Sequence, residues 1–414
     1  MIKIHLSKEQ ILNAQKKHWA WFDSNCLKKL IDLEKEKNID KTLKGFISVL
    51  LKDKTRLKNL ICGTPSEIRN EIQYVRTHFD DLIFSEKLES EELTKLAEIK
   101  KIVPSHKWVR ENQWESKYKE VFKLVQQSKL FDSMDLKACG EPEEFIDFIR
   151  LINTKLKNAN VKGRLEYVFS YEKLKEKGNS WGAYDWVKIL NLKTCPYCNR
   201  QFIHYYSKGD GTKEMRPALD HFYPKSIYPF LGVSLFNLVP SCHVCNSSFK
   251  GEKDFYLEQH VNPFEERFGE SGKFVTNIKS ESIGDDFKYD ISYLTSVKDN
   301  ADFDLTLYVE SDNIEFKERI SNSKETFKIE GLYKEHKAYA HSIIKQTLMY
   351  NQSRLNELMS SFDGKLFSGK DELKELIMGN YLDIERQGDH VLSKLTQDIF
   401  EEFKIGDIWD ESII

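Results

Sequence analysis

Four cysteines stand in two pairs, Cys195-Pro196-Tyr197-Cys198 and Cys242-His243-Val244-Cys245, with 43 residues between the pairs. Two residues between sulfurs let a tight turn aim both thiolates at one ion. Two such knuckles complete the tetrahedral set of a structural zinc site, with Zn–S near ~2.3 Å and no position left for water. A single Cys-x-x-Cys is also the pattern of a thioredoxin-like redox pair, and it is the second pair that favours zinc. Between the pairs runs Asp220-His221-Phe222-Tyr223-Pro224-Lys225, and Asn246 directly follows the last cysteine. The Asp220 and Asn246 oxygens suit an octahedral Mg²⁺ or Mn²⁺ that keeps positions for phosphate and water. A neutral His221 beside them can deprotonate that water. Lys250, four residues past Asn246, falls one helical turn along the same face, where it can meet a phosphate or stay solvated; Lys225 is a second phosphate candidate. Taken singly, an Asp-His pair is an ordinary surface feature, and only the order and spacing give these residues chemical meaning.

That order, over Asn191–Gly251, resembles the HNH (ββα-metal) endonucleases: the Asp-His pair, then Asn237-Leu238-Val239-Pro240, then Cys-x-x-Cys-Asn-x-x-x-Lys. The resemblance implies that His221 is the general base, that Asp220 and Asn246 hold a catalytic Mg²⁺ or Mn²⁺, and that Asn237 braces the loop carrying the base. It implies in-line attack of water on a phosphodiester, leaving a 5′ phosphate. The Cys-Pro-Tyr-Cys-Asn knuckle and the Asp-His-Phe-Tyr-Pro-Lys segment, set between long helical flanks, are similar to the nuclease components of bacterial anti-phage systems such as Septu and certain retrons. This implies an effector acting on DNA, or on tRNA or other RNA, beside an ABC- or AAA-type ATPase. The ATPase must be a separate chain, since no Gly-x-x-x-x-Gly-Lys-Ser/Thr loop is present. The alternative, of a different class, is a non-catalytic zinc-stapled adaptor for nucleic acid or protein, which needs the cysteines but not a base beside metal ligands.

The elements that must position these groups can be read from periodicity. Ser7-Lys8-Glu9-Gln10 matches a capping box, and the stripe Ile11, Leu12, Trp19, Phe22, Cys26, Leu27, Leu30, interrupted by Gln15, predicts a long helix with Cys26 in the core. Helical patterns follow over Leu43–Leu60 and Ser66–Phe84, divided by Gly63-Thr64-Pro65, and again over Lys117–Leu130 and Pro142–Leu156. From about residue 181 the texture changes to short runs broken by Gly, Pro, Asn and Cys. Beyond it, Phe274–Ile278 and Phe303–Val309 suit strands with an acidic loop between them, and Lys334–Phe362 suits one long helix before a helical end piece. The expectation is a mainly α protein with a small central ββα-metal (HNH) zinc-stapled domain, α+β overall. Its parts are 1–180, a mildly basic helical domain; 181–265, the nuclease domain; and 266–414, an acidic part.

Composition bounds these readings. With 414 residues, 40% hydrophobic and 12% aromatic, the chain can bury a core, which excludes a wholly disordered or collagen-like protein. The net charge of −3 conceals +7, +1 and −11 in the three parts. A polyanion is attracted to the first two and repelled by the third, which is free to dock a partner or a second copy. Seven cysteines, an odd number, argue against a secreted disulfide framework. The absence of an apolar run of about 20 residues or a signal pattern leads to the expectation of a soluble, cytoplasmic protein without membrane contact.

Overall fold

The computed structural model describes residues 1–37, 39–84, 95, 98–128, 131, 138–178, 180–208, 212–278, 280–283, 286–289, 303–350, 352–362 and 366–404. It is mainly helical with small antiparallel sheets. The chain forms two compact units interleaved in sequence: a helical unit of Gln15–Glu176 with Tyr223–Asn237, and a mixed unit of Met1–Ala14, Lys177–Phe222 and Leu238–Ile414. The sequence reading sets its boundaries at 180 and 265; the two units are delimited at 14–15, 176–177, 222–223 and 237–238, so that the segment 223–237 belongs with the helices.

The first helix, Lys8–Phe22, opens on the reciprocal cap expected of it: Ser7 N donates to Gln10 Oε1 at 2.8 Å and Gln10 N to Ser7 Oγ at 3.1 Å. A π-helical turn, Asp23–Leu27, carries it into Lys28–Lys35 with Cys26 and Leu30 fully buried. Gln15, the break in the apolar stripe, donates Nε2 to the Cys62 carbonyl at 2.8 Å. The pattern over Leu43–Leu60 is two helices, Lys41–Lys52 and Lys54–Cys62, because the Asp53 carboxylate accepts from Thr55 N and Arg56 N at 3.0 Å each and so starts a new helix. Gly63 ends it: a Cβ there would meet the Asn59 carbonyl oxygen at 2.2 Å. Thr64 and Pro65 then begin Pro65–His78. Further on, Glu115–Val125 and the 27-residue helix Pro142–Val168 enclose an aromatic core in which Tyr118 meets Phe145 edge-on at 5.3 Å. Residues 129–130 of the expected Lys117–Leu130 helix lie outside the described residues.

Among its described residues the mixed unit holds four antiparallel strand pairs: β1 (Tyr206–Ser207) with β2 (Lys213–Met215), β3 (Ala218–His221) with β4 (Leu238–Ser241), β5 (Gly272–Ile278) with β8 (Phe303–Val309), and β6 (Ser280–Ile283) with β7 (Asp286–Tyr289). Between β5 and β8 the sequence suggested loop alone; it contributes β6 and β7, while 290–302 lie outside the described residues. Among the described residues the β5–β8 pair has no third strand, and helices satisfy its edges instead. Asp398 Oδ2 accepts from Phe274 N at 2.9 Å and Glu402 from Thr276 N at 3.1 Å. This match is geometric: outward N–H groups on a strand recur every about 6.6 Å, and residues four apart on the helix Ser393–Phe403 advance about 6 Å. On the other edge, Leu307 N donates to Glu330 and the Leu307 carbonyl accepts from Lys324 Nζ at 3.1 Å. The Lys334–Phe362 pattern is a 3₁₀ turn, Lys334–His336, followed by Lys337–Met349 and Gln352–Ser361. No helix among the described residues is long and apolar enough to cross a membrane.

Candidate metal centre and active site

The four cysteines converge. One sulfur from each of Cys195, Cys198, Cys242 and Cys245 lies within 4.8 Å of the others, all four residues are buried, and none is in a disulfide. A tetrahedral ion at about 2.3 Å from each sulfur spaces them by about 3.8 Å, so the set can hold a metal such as zinc. Backbone amides already point at the sulfurs, Arg200 N to Cys198 at 3.5 Å and Cys245 N to Cys242 at 3.4 Å, as metal-bound thiolates require. Hydrogen bonding with Cys195 holds the Cys198 and Cys242 thiols down and pushes Cys245 up, while burial pushes Cys195 up. Buried thiols this close cannot all ionise without a cation among them. The Cys195–Cys198 knuckle is further fixed by Tyr333, whose hydroxyl donates to the Cys198 carbonyl at 2.7 Å.

β3 and β4 carry the second cluster. Their register pairs Ala218 with Ser241, Asp220 with Val239 and His221 with Leu238, and Trp186 Nε1 donates to the Leu238 carbonyl at 3.0 Å. β4 leads through Cys242 into a wide helical turn, Val244–Lys250, with Gly251 N closing on the Asn246 carbonyl at 3.1 Å. Thus β3, β4 and the turn follow one another, with His221 at the end of β3, 8% exposed, and Asn246 half-buried in the turn. The Asn246 side chain makes no hydrogen bond among the described residues.

The structure brings together a different set from the one the spacing suggested. Lys250 is not presented to solvent for a phosphate: its side chain is 1% exposed, and Nζ donates to Asp220 Oδ1 at 3.0 Å and to the His221 carbonyl at 2.7 Å. The other Asp220 oxygen, Oδ2, accepts from the Tyr197 hydroxyl at 2.6 Å. Burial, then the Asp220 charge, push the Tyr197 phenol well above its ordinary value, so it stays the donor. With both oxygens met by protein donors and an ammonium beside one of them, the setting of Asp220 does not fit a ligand of Mg²⁺ or Mn²⁺. Tyr197 was missed because, inside the knuckle, it reads as a spacer between ligands.

Two of the sequence-predicted residues belong to the helical unit. Asn237, fully buried, accepts at Oδ1 from Tyr223 N at 2.7 Å and donates Nδ2 to the Tyr223 carbonyl at 3.0 Å, closing the loop that follows β3. Lys225 is exposed, with Nζ 5.3 Å from the centre of the Tyr171 ring.

Comparison with known proteins gives a partial likeness. Over 115 residues the chain is 33% identical to the Septu protein PtuB of Bacillus thuringiensis. The stretch is 27% of this chain and covers 38% of that protein, well under half the length of the relative it matches. No family model matches the chain. No solved structure matches it either.

Proposed function

We propose that this chain is an HNH-type endonuclease, a hydrolase of nucleic-acid phosphodiester bonds, serving a Septu-related anti-phage defence system. One observation carries the reading: an antiparallel strand pair ends on His221 and runs directly into a helical turn bearing an uncommitted Asn246, beside four converging cysteines. The partial likeness to PtuB supports the defence role. In this reading His221 takes a proton from water, the water oxygen bonds to phosphorus, the bond to the 3′ oxygen breaks, and solvent returns a proton to that leaving oxygen. A divalent ion, Mg²⁺ or Mn²⁺, would neutralise phosphate charge, and Asn246 is the side chain left to meet it once Asp220 is committed. The four-cysteine ion, zinc by its ligands, is structural. Partners follow from the same reading: DNA as substrate, tRNA or other RNA as the second class, and a separate ATPase chain.

The test is cleavage of supercoiled plasmid, single-stranded DNA and a tRNA pool by the purified chain, with Mn²⁺ or with EDTA. The expected result is Mn²⁺-dependent cutting of one substrate that falls at least ~100-fold in His221→Ala with zinc still bound. Unchanged cutting by His221→Ala overturns the assignment of the base. The commitment of Asp220 to Tyr197 and Lys250 favours one other reading, the non-catalytic zinc-stapled adaptor. Nucleic-acid binding without cleavage of any substrate would establish that reading in place of the nuclease.

A further inference from the structure

Asp220 sits in a buried cluster that the proposed hydrolysis does not use. Three elements meet on it: the Cys195–Cys198 knuckle through Tyr197, β3 through Asp220 itself, and the turn Val244–Lys250 through Lys250. Aromatic walls shut out water. Tyr197 stacks on Phe327 with ring centres 4.5 Å apart at 15°, and the Lys250 ammonium lies 4.9 Å from the centre of the Phe255 ring. In surroundings this dry a carboxylate is tolerated only when its lone pairs are met and its charge is balanced, and Tyr197 and Lys250 do both. Lys250 then reaches one residue further and donates to the His221 carbonyl at 2.7 Å, so the atoms that balance Asp220 also fix the backbone from which the His221 ring projects.

We infer that Asp220 is a positioning residue and not a metal ligand: held by Tyr197 and Lys250, it ties the end of β3 that carries His221 to the four-cysteine cluster. A divalent ion brought to Oδ1 would stand against an ammonium already 3.0 Å from that oxygen, a like-charge contact with little solvent to screen it. The four-cysteine ion thereby acquires a role beyond holding the fold, since its knuckle supplies one of the two donors that orient the base-bearing strand. This rests on the nuclease reading only where it speaks of catalysis; the bridge itself is a property of the fold.

The experiment uses the full zinc-loaded chain with ¹³C-labelled Asp and His side chains. The His221 imidazole signals are assigned by their absence in His221→Ala, and the Asp220 carboxyl carbon by its absence in Asp220→Asn. Tyr197→Phe, Asp220→Asn and Lys250→Met are each expected to shift the His221 signals with zinc stoichiometry unchanged, and Tyr197→Phe with Asp220→Asn to shift them no further than Asp220→Asn alone. Should Lys250→Met fail to fold, the neutral pair Asp220→Asn with Lys250→Gln keeps the hydrogen-bonding shape and is expected to return the His221 signals toward their wild-type positions. Mg²⁺ added to wild type is expected to leave the chemical shift of the Asp220 carboxyl carbon unchanged. A Mg²⁺-dependent shift of that signal, or His221 signals identical in wild type, Tyr197→Phe and Asp220→Asn, overturns the inference. A chain that cuts nothing while its His221 signals shift as described sinks the nuclease reading and leaves the bridge standing. Where the chain does cut, Tyr197→Phe is expected to lower kcat with KM unchanged, the signature of a misplaced base.

Discussion

A lysine whose side chain is 1% exposed keeps its charge only while a carboxylate stays opposite it, and Lys250 and Asp220, at 1% and 3%, are such a pair. Removing one partner strands the other charge in the interior, which typically costs about 3–5 kcal/mol, whereas neutralising both avoids that penalty. Lys250→Ala is therefore expected to lower unfolding stability by about 3 kcal/mol or more. The paired neutral variant Asp220→Asn with Lys250→Gln should lose less than either single change, as read by urea denaturation. A loss in the paired variant equal to the sum of the two single losses would show that the pair carries no mutual dependence. At this scale the sequence was informative where spacing alone sets the chemistry. Two Cys-x-x-Cys pairs can bring their sulfurs to one point almost regardless of what lies between them, and these four sulfurs do lie together. It was silent where two elements must first meet: whether the ammonium four residues past Asn246 looks out at a phosphate or in at Asp220 depends on the phase of a wide helical turn against a strand, and no local rule gives that phase.

Elements followed their local signals wherever a side chain could act on its own backbone. The cap at Ser7, the stop at Gly63 and the alternation of β5 and β8 were all legible, because each is decided within a few residues. The break at Asp53 was lost in a continuous apolar pattern, although an Asp able to accept from the two amides that follow is a helix start in its own right. Tertiary pairing was not legible at all, and the sheet β5–β8 illustrates why: its edges are closed by acids and a lysine from helices distant in sequence. Asp398 does double duty there, accepting from Phe274 N and balancing Lys394, whose side chain is 4% exposed and whose Nζ also donates to the Gly269 carbonyl at 3.1 Å. Among the described residues Glu402 accepts hydrogen bonds from Thr276. Asp398→Ala should consequently cost about 3 kcal/mol or more, as a broken buried ion pair does, and Glu402→Ala about 1 kcal/mol, the worth of its hydrogen bonds. Denaturation of the two variants side by side checks the ranking, and a Glu402→Ala loss as large as that of Asp398→Ala would contradict it.

For the molecule as a whole, the interleaving of the two units means that the chain crosses between them at 14–15, 176–177, 222–223 and 237–238. A linear reading finds boundaries from changes in texture, and the return of 223–237 to the helices carries no compositional mark, because its Tyr, Phe, Leu and Val residues suit either interior. Each unit contains a histidine whose burial holds it neutral, His18 in one and His260 in the other, which makes acid stability a property of both. In the helical unit the fully buried His18 ring donates to the Val233 carbonyl at 2.7 Å, and burial pushes its pKa down to about 4. In the mixed unit His260 stacks on Phe255 at 3.6 Å with Nε2 2.9 Å from Thr326 Oγ1, and burial likewise pushes it down to about 4. Both rings titrate near about 6.5 once unfolded, so below that pH the unfolded chain binds protons that the folded chain refuses. The stability tied to each ring is therefore complete above pH ~6.5 and is lost as pH falls from there toward about 4, amounting to about 2 kcal/mol per ring at pH ~5. His18→Gln keeps a donor for the Val233 carbonyl without a titrating group, and its stability difference from wild type should narrow by about 2 kcal/mol between pH ~7 and ~5 in urea denaturation. His260→Gln should do the same for the mixed unit. Because each comparison is made against wild type at the same pH, other titrating groups cancel, and a difference that stays constant across that range would mean that the ring is protonated in the native fold.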